Sequence, residues 1–597
     1  MHPTLLTLCG QVARAPRPRR RPAFRRPLLE ALEDRTLPST LTVLNNLDSG
    51  AGSLRDAIGH AKDGDTIVFA SGLDGQTITL AKDQLTINKS LDIEGPGASL
   101  LAVSGNDANR VFDVSQGLTV TIAGLTITHG LGKGAIQGSN GGGAGGGAVL
   151  NGGSTVNLAN DVFANNQALN HGGAVSNGPG SVLTVVNSTF LANRAVGQPG
   201  AAFVEGGAIW NTDNGDHNQI TGVGATAVVI GCTFISNQAV GPDGGTASGG
   251  QFLGECNGGA IHNEGPDFLT VKSSTFIANE SVAGNGGTGK GASIFTVDVA
   301  TGGAICNDEG LHLTVDGCTF SHNKAVGGSD VTSDSGLVGH SVGGAIQNSG
   351  SATVTNSTFD HNEALGGSNN TGGSGVTVNG RGAGGAICSF NFGGSALPVS
   401  LAVSNCTFTD NQAVGGSGDA GGLVVGTGVG GGLANDRGGT ATVTSCTFTG
   451  NQAIGGAGAA GGNGADGLGG GLANVLGATL TVSGGILSGN QAVGGAGGAG
   501  GNGGNGFGGG LFNDGLSTIP LNAGTPATLT VTGSSITANQ ATGGAAGSGG
   551  GAGQGVGGGA YFAAGGIVCL DAATVANILG NTASTSNNDV FGAFSIC

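Results

Sequence analysis

Short stretches of alternating apolar and polar residues recur along this chain, as in Leu269-Thr270-Val271, Leu313-Thr314-Val315 and Leu480-Thr481-Val482. A period of two in segments rich in Val, Thr, Leu and Ile predicts strands, and no repeat carries the 3.6-spaced run that a helix needs. Two motifs frame these strands. Gly-Gly units followed by a small and an aliphatic residue begin at Gly146, Gly172, Gly206, Gly258, Gly302, Gly343, Gly384, Gly431, Gly470, Gly509 and Gly558. Each is followed by Phe-x-x-Asn, strict from Phe163/Asn166 through Phe448/Asn451 and relaxed at Leu487/Asn490, Ile536/Asn539 and Ile578/Asn581. The shortest whole unit, Gly146 to Gly172, is 26 residues. Helix-free repeats of this length predict an all-β solenoid, each unit one coil of about three strands that pair in parallel with the next coil.

Stacking explains the conserved residue types within the repeat. Successive Phe side chains fall about 4.8 Å apart as an aromatic ladder inside the coils. The Asn of Phe-x-x-Asn forms an amide ladder, and a second follows the Gly-Gly strand at Asn151, Asn177, Asn211, Asn263, Asn307, Asn348, Asn435, Asn474 and Asn513. The stretch from Phe-x-x-Asn to the next Gly-Gly becomes almost pure Gly, Ala, Ser, Asn and Val, as in AVGGAGGAGGNGGNGFGGG. Lacking apolar bulk to offset ordering entropy, these loops are expected to form a mobile or loosely stacked fringe, a display surface rather than an active site.

The ends differ from the repeats. Residues 1–40 form an Arg/Pro-rich leader, expected to be disordered, and residues 41–145 read as an N-terminal cap with the first coils. There, Ser53 and Asp56 make a capping box, and Leu54, Ala57, Ile58 and Ala61 share one face of a short helix suited to covering the first coil. Strands are expected at 65–69, 76–80, 85–94 and 118–128. The repeat region then spans 146–581, with a polar tail at 582–597. Eleven to fifteen coils would make a rod roughly 50–75 Å long.

Of 597 residues 129 are glycine, and from residue 41 onward the formal charge is −22. That surface argues against nucleic acid and anionic lipid as partners. No span of 18 apolar residues occurs, so no transmembrane helix is expected. Cys232, Cys318, Cys406 and Cys446 precede the Phe strand, and Cys306 and Cys388 follow Gly-Gly-Ala-Ile; all six read as small interior ladder positions. Disulfides are open between Cys406 and Cys446 and between Cys569 and Cys597.

The alternating GGA[ILV] and FxxN motifs resemble those of the chlamydial polymorphic outer-membrane proteins. Segment 41–130, with DSGAGSLRDAI, GDTIVFA and LTINKSLDIEGPGA, is similar to the start of CSLREA-type bacterial surface proteins. The string LEALEDRTLPS resembles the leader of large exported planctomycete proteins. The resemblance implies a single-stranded right-handed parallel β-helix, akin to the pectate lyases, and an extracellular or cell-surface life associated with the outer membrane. The chlamydial autotransporter barrel has no counterpart here, since no run of ten-residue amphipathic strands follows the repeats.

The catalytic candidates are few. The insertion WNTDNGDHNQ brings Trp210, Asp213, Asp216 and His217 together, and its NTD resembles one polygalacturonase motif, but the DD, GHG and RIK partners are absent. Trp210 would stack on a sugar or cover an apolar coil. Residues 461–469, GGNGADGLG, fit a calcium nonapeptide with Asp466 as ligand, though calcium rolls use tandem copies. The expectation is therefore a monomeric structural or adhesin-like rod without catalytic activity or cofactor, its partner a polysaccharide or a cell-surface protein. The alternative is a polysaccharide-binding or polysaccharide-degrading protein of the pectate lyase or polygalacturonase kind.

Overall fold

The structure is a computed structural model that describes residues 38–133, 145–212, 223–248, 252–265, 268–391, 397–516 and 523–597. The chain winds as a right-handed parallel β-helix. Its longest sheet has sixteen parallel strands, from Thr40–Val43 to Ser595–Ile596, making a rod roughly 70 Å long and one coil beyond the expected range. That extra coil arises because the tail does not end the solenoid: Thr582–Ala583, Val590–Phe591 and Ser595–Ile596 pair with the preceding coil. At the other end the helix α1, Leu54–His60, is capped by Ser53, which accepts from the Asp56 N–H. Asp56 in turn accepts from the Gly52 N–H at 3.0 Å, and Leu54, Ala57, Ile58 and Ala61 are buried against the first coils.

Each coil of the repeat region carries four main strands rather than three. The coil at 433–454 shows them in order: Leu433–Asn435, Thr440–Thr444, Thr447–Thr449 and Gln452–Ile454. The last was missed because it is three residues long and buries only an alanine; Ala413, Ala453 and Ala492 stack in that column. Sharp corners join the strands, with the residue before the ladder asparagine in the left-handed region, as at Ala278 (φ 50°), His322 (φ 57°) and Gly450 (φ 69°). In the last four units the corner glycine is Gly430, Gly469, Gly508 and Gly557, one residue before the expected start. The register Ile387↔Leu433 sets this, with Gly432 standing where other units have alanine.

The interior is built from the expected ladders. Rings from Phe163 to Phe448 stack at 4.4–4.8 Å, all fully buried. The Phe-x-x-Asn ladder is unbroken from Asn166 to Asn581, each Nδ2 donating to the next Oδ1 at 2.9 Å. The second ladder runs from Asn151 to Asn348 and resumes at Asn435, with Ser389 in the gap.

The glycine-rich loops at 455–467, 494–506 and 543–555 stack in register rather than forming the mobile or loosely stacked fringe expected from their composition. Gly458, Gly461, Gly464 and Gly467 each donate a backbone N–H to the loop of the next coil, at 2.7–2.8 Å. Glycine makes this stacking sterically possible: a Cβ on Gly501 would overlap the Gly462 carbonyl oxygen, and one on Gly504 that of Ala465. Neighbouring loops of near-identical sequence thus satisfy one another's backbone groups, which no single loop does alone.

Candidate functional site

The Gly-Gly strands have two faces. Their aliphatic residues point into the Phe-lined core, so the residue between aliphatic and asparagine points outward. There it meets a further nine-stranded sheet, Phe203–Glu205 to Gly555–Val556, formed by the chain just before each Gly-Gly. The space between is a second, narrow interior, a gallery running along the rod. Its inner wall reads Ser176, Trp210, His262, Cys306, Gln347, Cys388, Ala434, Ala473 and Phe512, in register from coil to coil. Its outer wall reads Glu205, Asn257, Thr301, Val342, Ala383 and Val429.

The gallery changes character along its length. Beyond Gln347 its walls are mostly apolar, with Val342, Ala383, Cys388, Phe390, Val429 and Ala434 packed together beside one buried charged group, Arg381, Asp436 and Arg437. Before that point it is polar and buried. His262 lies between two carboxylates: its Nε2 is 3.0 Å from Asp308 Oδ2 and its Nδ1 3.6 Å from Glu205 Oε2. Glu264 Oε2 accepts from Trp210 Nε1 at 3.1 Å and from Thr212 Oγ1 at 3.0 Å. Cys306 Sγ donates within 3.3 Å of Asp308 Oδ1 and 3.0 Å of Gln347 Oε1, and accepts from Thr301 Oγ1. The Trp210 ring stacks on His171 at 4.3 Å.

Electrostatics follow from this burial. Desolvation pulls the His262 pKa down, but Asp308 and Glu205 outweigh it and hold the imidazole well above its usual value. Burial, reinforced by Asp308, pushes the Cys306 thiol up to about 12. Where the gallery turns apolar, a buried ion pair closes the polar part: Arg381 Nη1 lies 2.6 Å from Asp436 Oδ2, and the Arg437 guanidinium sits 4.8 Å from the Phe390 ring centroid. His340 Nδ1–H donates to the Arg381 carbonyl at 2.7 Å, and burial together with Arg381 holds its pKa well below the usual value. The polar gallery holds nitrogen, sulfur and oxygen donors in a water-poor space, a set suited to a cation and closed to a polymer.

A second polar feature lies on the fringe. An open groove of about 640 Å³ crosses four stacked loops and is lined by Val425, Thr427, Asn463, Asp466, Asn502, Asn505 and Gln554 with the intervening glycine and alanine backbone. Its amides form a surface ladder: Asn463 Oδ1 accepts from Asn502 N at 2.9 Å, and Asn502 Oδ1 from Gly551 N at 2.7 Å. Asp466 Oδ1 accepts from Asn505 N and Nδ2 at 2.6 and 3.1 Å, and Asn505 Oδ1 from Gln554 N. Burial raises the Asp466 pKa.

The sequence candidates fare unevenly. Asp213, Asp216 and His217 lie outside the described residues. Trp210 is buried in the gallery, so it neither offers a sugar platform nor covers an apolar coil. Asp466 is one rung of an amide ladder; among the described residues it joins no group of three ligating side chains. Cys306 and Cys388 do not line the main core: strand alternation turns both into the gallery, whereas Cys232, Cys318, Cys406 and Cys446 are core residues as expected. Cys569 and Cys597 form a disulfide, while Cys406 and Cys446 are free thiols, with the Cys406 N–H donating to Cys446 Sγ. His171, Glu205, His262, Glu264 and Asp308 were missed because they do not repeat from unit to unit; their fixed place beside Gly-Gly was the available signal.

No family model and no curated protein matches the chain. Among solved structures, it is similar to the catalytic unit of a thermostable GH87 alpha-1,3-glucanase from Streptomyces thermodiastaticus strain HF3-3, with 13% identity, TM-score 0.29 and 72% of this chain covered. This match takes in 63% of the glucanase, so the chain spans just under two thirds of its length. A mannuronic acid specific polysaccharide family 6 lyase from human gut microbiota aligns at 12% identity and TM-score 0.31, covering 74% of this chain and 86% of the lyase. The periplasmic alginate epimerase AlgG aligns at 8% identity and TM-score 0.27, covering 89% of this chain and 83% of its own. Among the described residues, no helix is long and apolar enough to cross a membrane.

Proposed function

We propose that the protein is an extracellular, surface-displayed rod that binds polysaccharide along its glycine-rich fringe without cleaving it. The observation that carries this reading is the groove over the stacked loops, where amides repeat at strand spacing along the rod axis. A linear polymer with repeated hydroxyls suits such an array, since the bridging amide oxygens keep a second lone pair and the Asn463 and Asn502 side-chain N–H groups recur at a fixed interval. The acidic surface selects against polyanionic chains, so the expected class is neutral glycans. Asp466 is the one carboxylate among the residues lining the groove, whereas glycoside hydrolysis requires two flanking the scissile bond. The ladders supply the stiffness, in line with the structural and adhesive role expected from the repeats. The Cys569–Cys597 disulfide fits an oxidising compartment.

The test replaces exposed groove amides. Asn502→Ala with Gln554→Ala is expected to weaken glycan binding at least tenfold while leaving the melting temperature within a few degrees of the parent. Unchanged affinity in that variant would remove the groove as the site.

A further inference from the structure

We propose that the polar gallery contains a structural zinc site formed by His262 Nε2, Cys306 Sγ and Asp308, with Gln347 Oε1 completing four ligands, so that one ion clamps three successive coils. The donor set comes first. Imidazole, thiol and carboxylate are the groups zinc takes in closed tetrahedral sites, and their ligating atoms here lie within 4.8 Å of one another. All four side chains are buried, on strands held in register by the sheet.

The distances fit as well. Zinc bonds of about 2.0–2.3 Å in a tetrahedron place neighbouring ligand atoms roughly 3.3–3.8 Å apart. In the gallery the corresponding separations are 3.0 Å for His262 Nε2 to Asp308 Oδ2, 3.3 Å for Cys306 Sγ to Asp308 Oδ1 and 3.0 Å for Cys306 Sγ to Gln347 Oε1. Asp308 faces His262 with Oδ2 and Cys306 with Oδ1, so an outward shift of a few tenths of an ångström together with a turn of that carboxylate seats the ion. Binding forms the Zn–S and Zn–N bonds as the Cys306 thiol and the His262 Nε2–H each give a proton to solvent; thiolate and Asp308 carboxylate together neutralise the dication, with imidazole and amide as uncharged ligands.

The surroundings supply the outer shell that such sites need. His262 Nδ1 faces Glu205 Oε2 at 3.6 Å, an ion-pair separation that a small closure would turn into the carboxylate–histidine–metal hydrogen bond which fixes the imidazole tautomer. Thr301 Oγ1 reaches Cys306 Sγ at 3.2 Å and Asn257 Oδ1 at 2.7 Å. The Asn257 Nδ2, fully buried in the same gallery, has no hydrogen-bond partner, so this part of the gallery is not a self-satisfied structural network.

The test uses the full chain, stripped with a chelator and reloaded with Zn²⁺ or Co²⁺ alone. The expected result is one ion per chain, a raised melting temperature, and for cobalt the thiolate charge-transfer absorption of a tetrahedral site. Cys306→Ser and Asp308→Asn should lower affinity at least 100-fold and abolish or shift that absorption, while Cys318→Ser, a core thiol outside the gallery, leaves it intact. Glu205→Gln, which keeps every ligand, should retain the absorption and weaken binding about 10- to 100-fold. No stoichiometric ion in the unsubstituted chain, cobalt bound without thiolate absorption, or equal effects of Cys318→Ser and Cys306→Ser would each overturn the proposal.

Discussion

Asn323→Ala probes the ladder that holds the coils together. Asn323 is fully buried; its Oδ1 accepts from Asn279 N at 3.0 Å and Asn279 Nδ2 at 2.9 Å, and its Nδ2 donates to Phe276 O and Asn362 Oδ1. Alanine removes the shared acceptor of two Asn279 donors, while Asn362 Oδ1 keeps the Asn323 backbone N–H. Two orphaned buried donors at about 1–3 kcal/mol each give a local destabilisation of about 2–6 kcal/mol. At about 1.4 kcal/mol per decade, native-state hydrogen exchange at Thr275–Val282 should accelerate roughly 30- to 20,000-fold. Because each coil touches only its neighbours, peptides at Thr479–Ser488, four coils away, should change far less. Exchange rising less than tenfold at Thr275–Val282, or rising equally at both places, would refute the ladder as the local source of stability.

Further outcomes follow from other parts of the rod. Burial raises the pKa of Asp161 and of Asp298 to about 8 each, so both take up a proton on folding above the ordinary carboxylate range. Their contribution to stability is fully present below about pH 4 and is lost as pH rises through about 8, at up to about 1.4 kcal/mol per unit for each group. Denaturant midpoints at pH 5 and pH 9 should show this fall, and Asp161→Ser, the residue the next coil carries as Ser188, should roughly halve it, leaving the Asp298 part. Ala278→Gly relieves a left-handed corner at φ 50° and should raise the denaturant midpoint by an amount worth about 1 kcal/mol. Gly501→Ala drives a Cβ into the Gly462 carbonyl and should increase exchange across the fringe at 456–467, whereas Gly461→Ala, with open space around it, should act only through its backbone angle. Reducing Cys569–Cys597, which closes a 28-residue separation, should cost the terminal coils up to about 3–4 kcal/mol and be read as faster exchange after Ile567.

The repeated parts of the fold were legible because one spacing recurs. Phe320 and Asn323 announce their ladders only in the company of Phe276, Asn279, Phe359 and Asn362, and the cap helix at Leu54–His60 announces itself through Ser53 and Asp56. The Gln-Ala strand was not legible, because three residues burying one alanine carry almost no hydrophobic signal. The stacking of the glycine loops was hidden for another reason. Each reads as disorder alone, and the stabilising partner of Gly464 is the near-copy of its own loop at Asn502 in the next coil. The gallery was obscured because Trp210, His262, Cys306, Gln347 and Cys388 share a place but not a chemistry. Alternation along Ile-Cys-Asn already turned Cys306 away from the core; only the second sheet, invisible in any single unit, shows what it faces.

The most direct measurement of the account is binding of the full chain to a panel of neutral and acidic polysaccharides, with and without calcium, while reducing-end and unsaturated products are followed. The account expects saturable binding to a neutral glycan, weakened by Asn502→Ala with Gln554→Ala, with no product formed. Absence of binding across the panel, or release of product from any polymer, would contradict it.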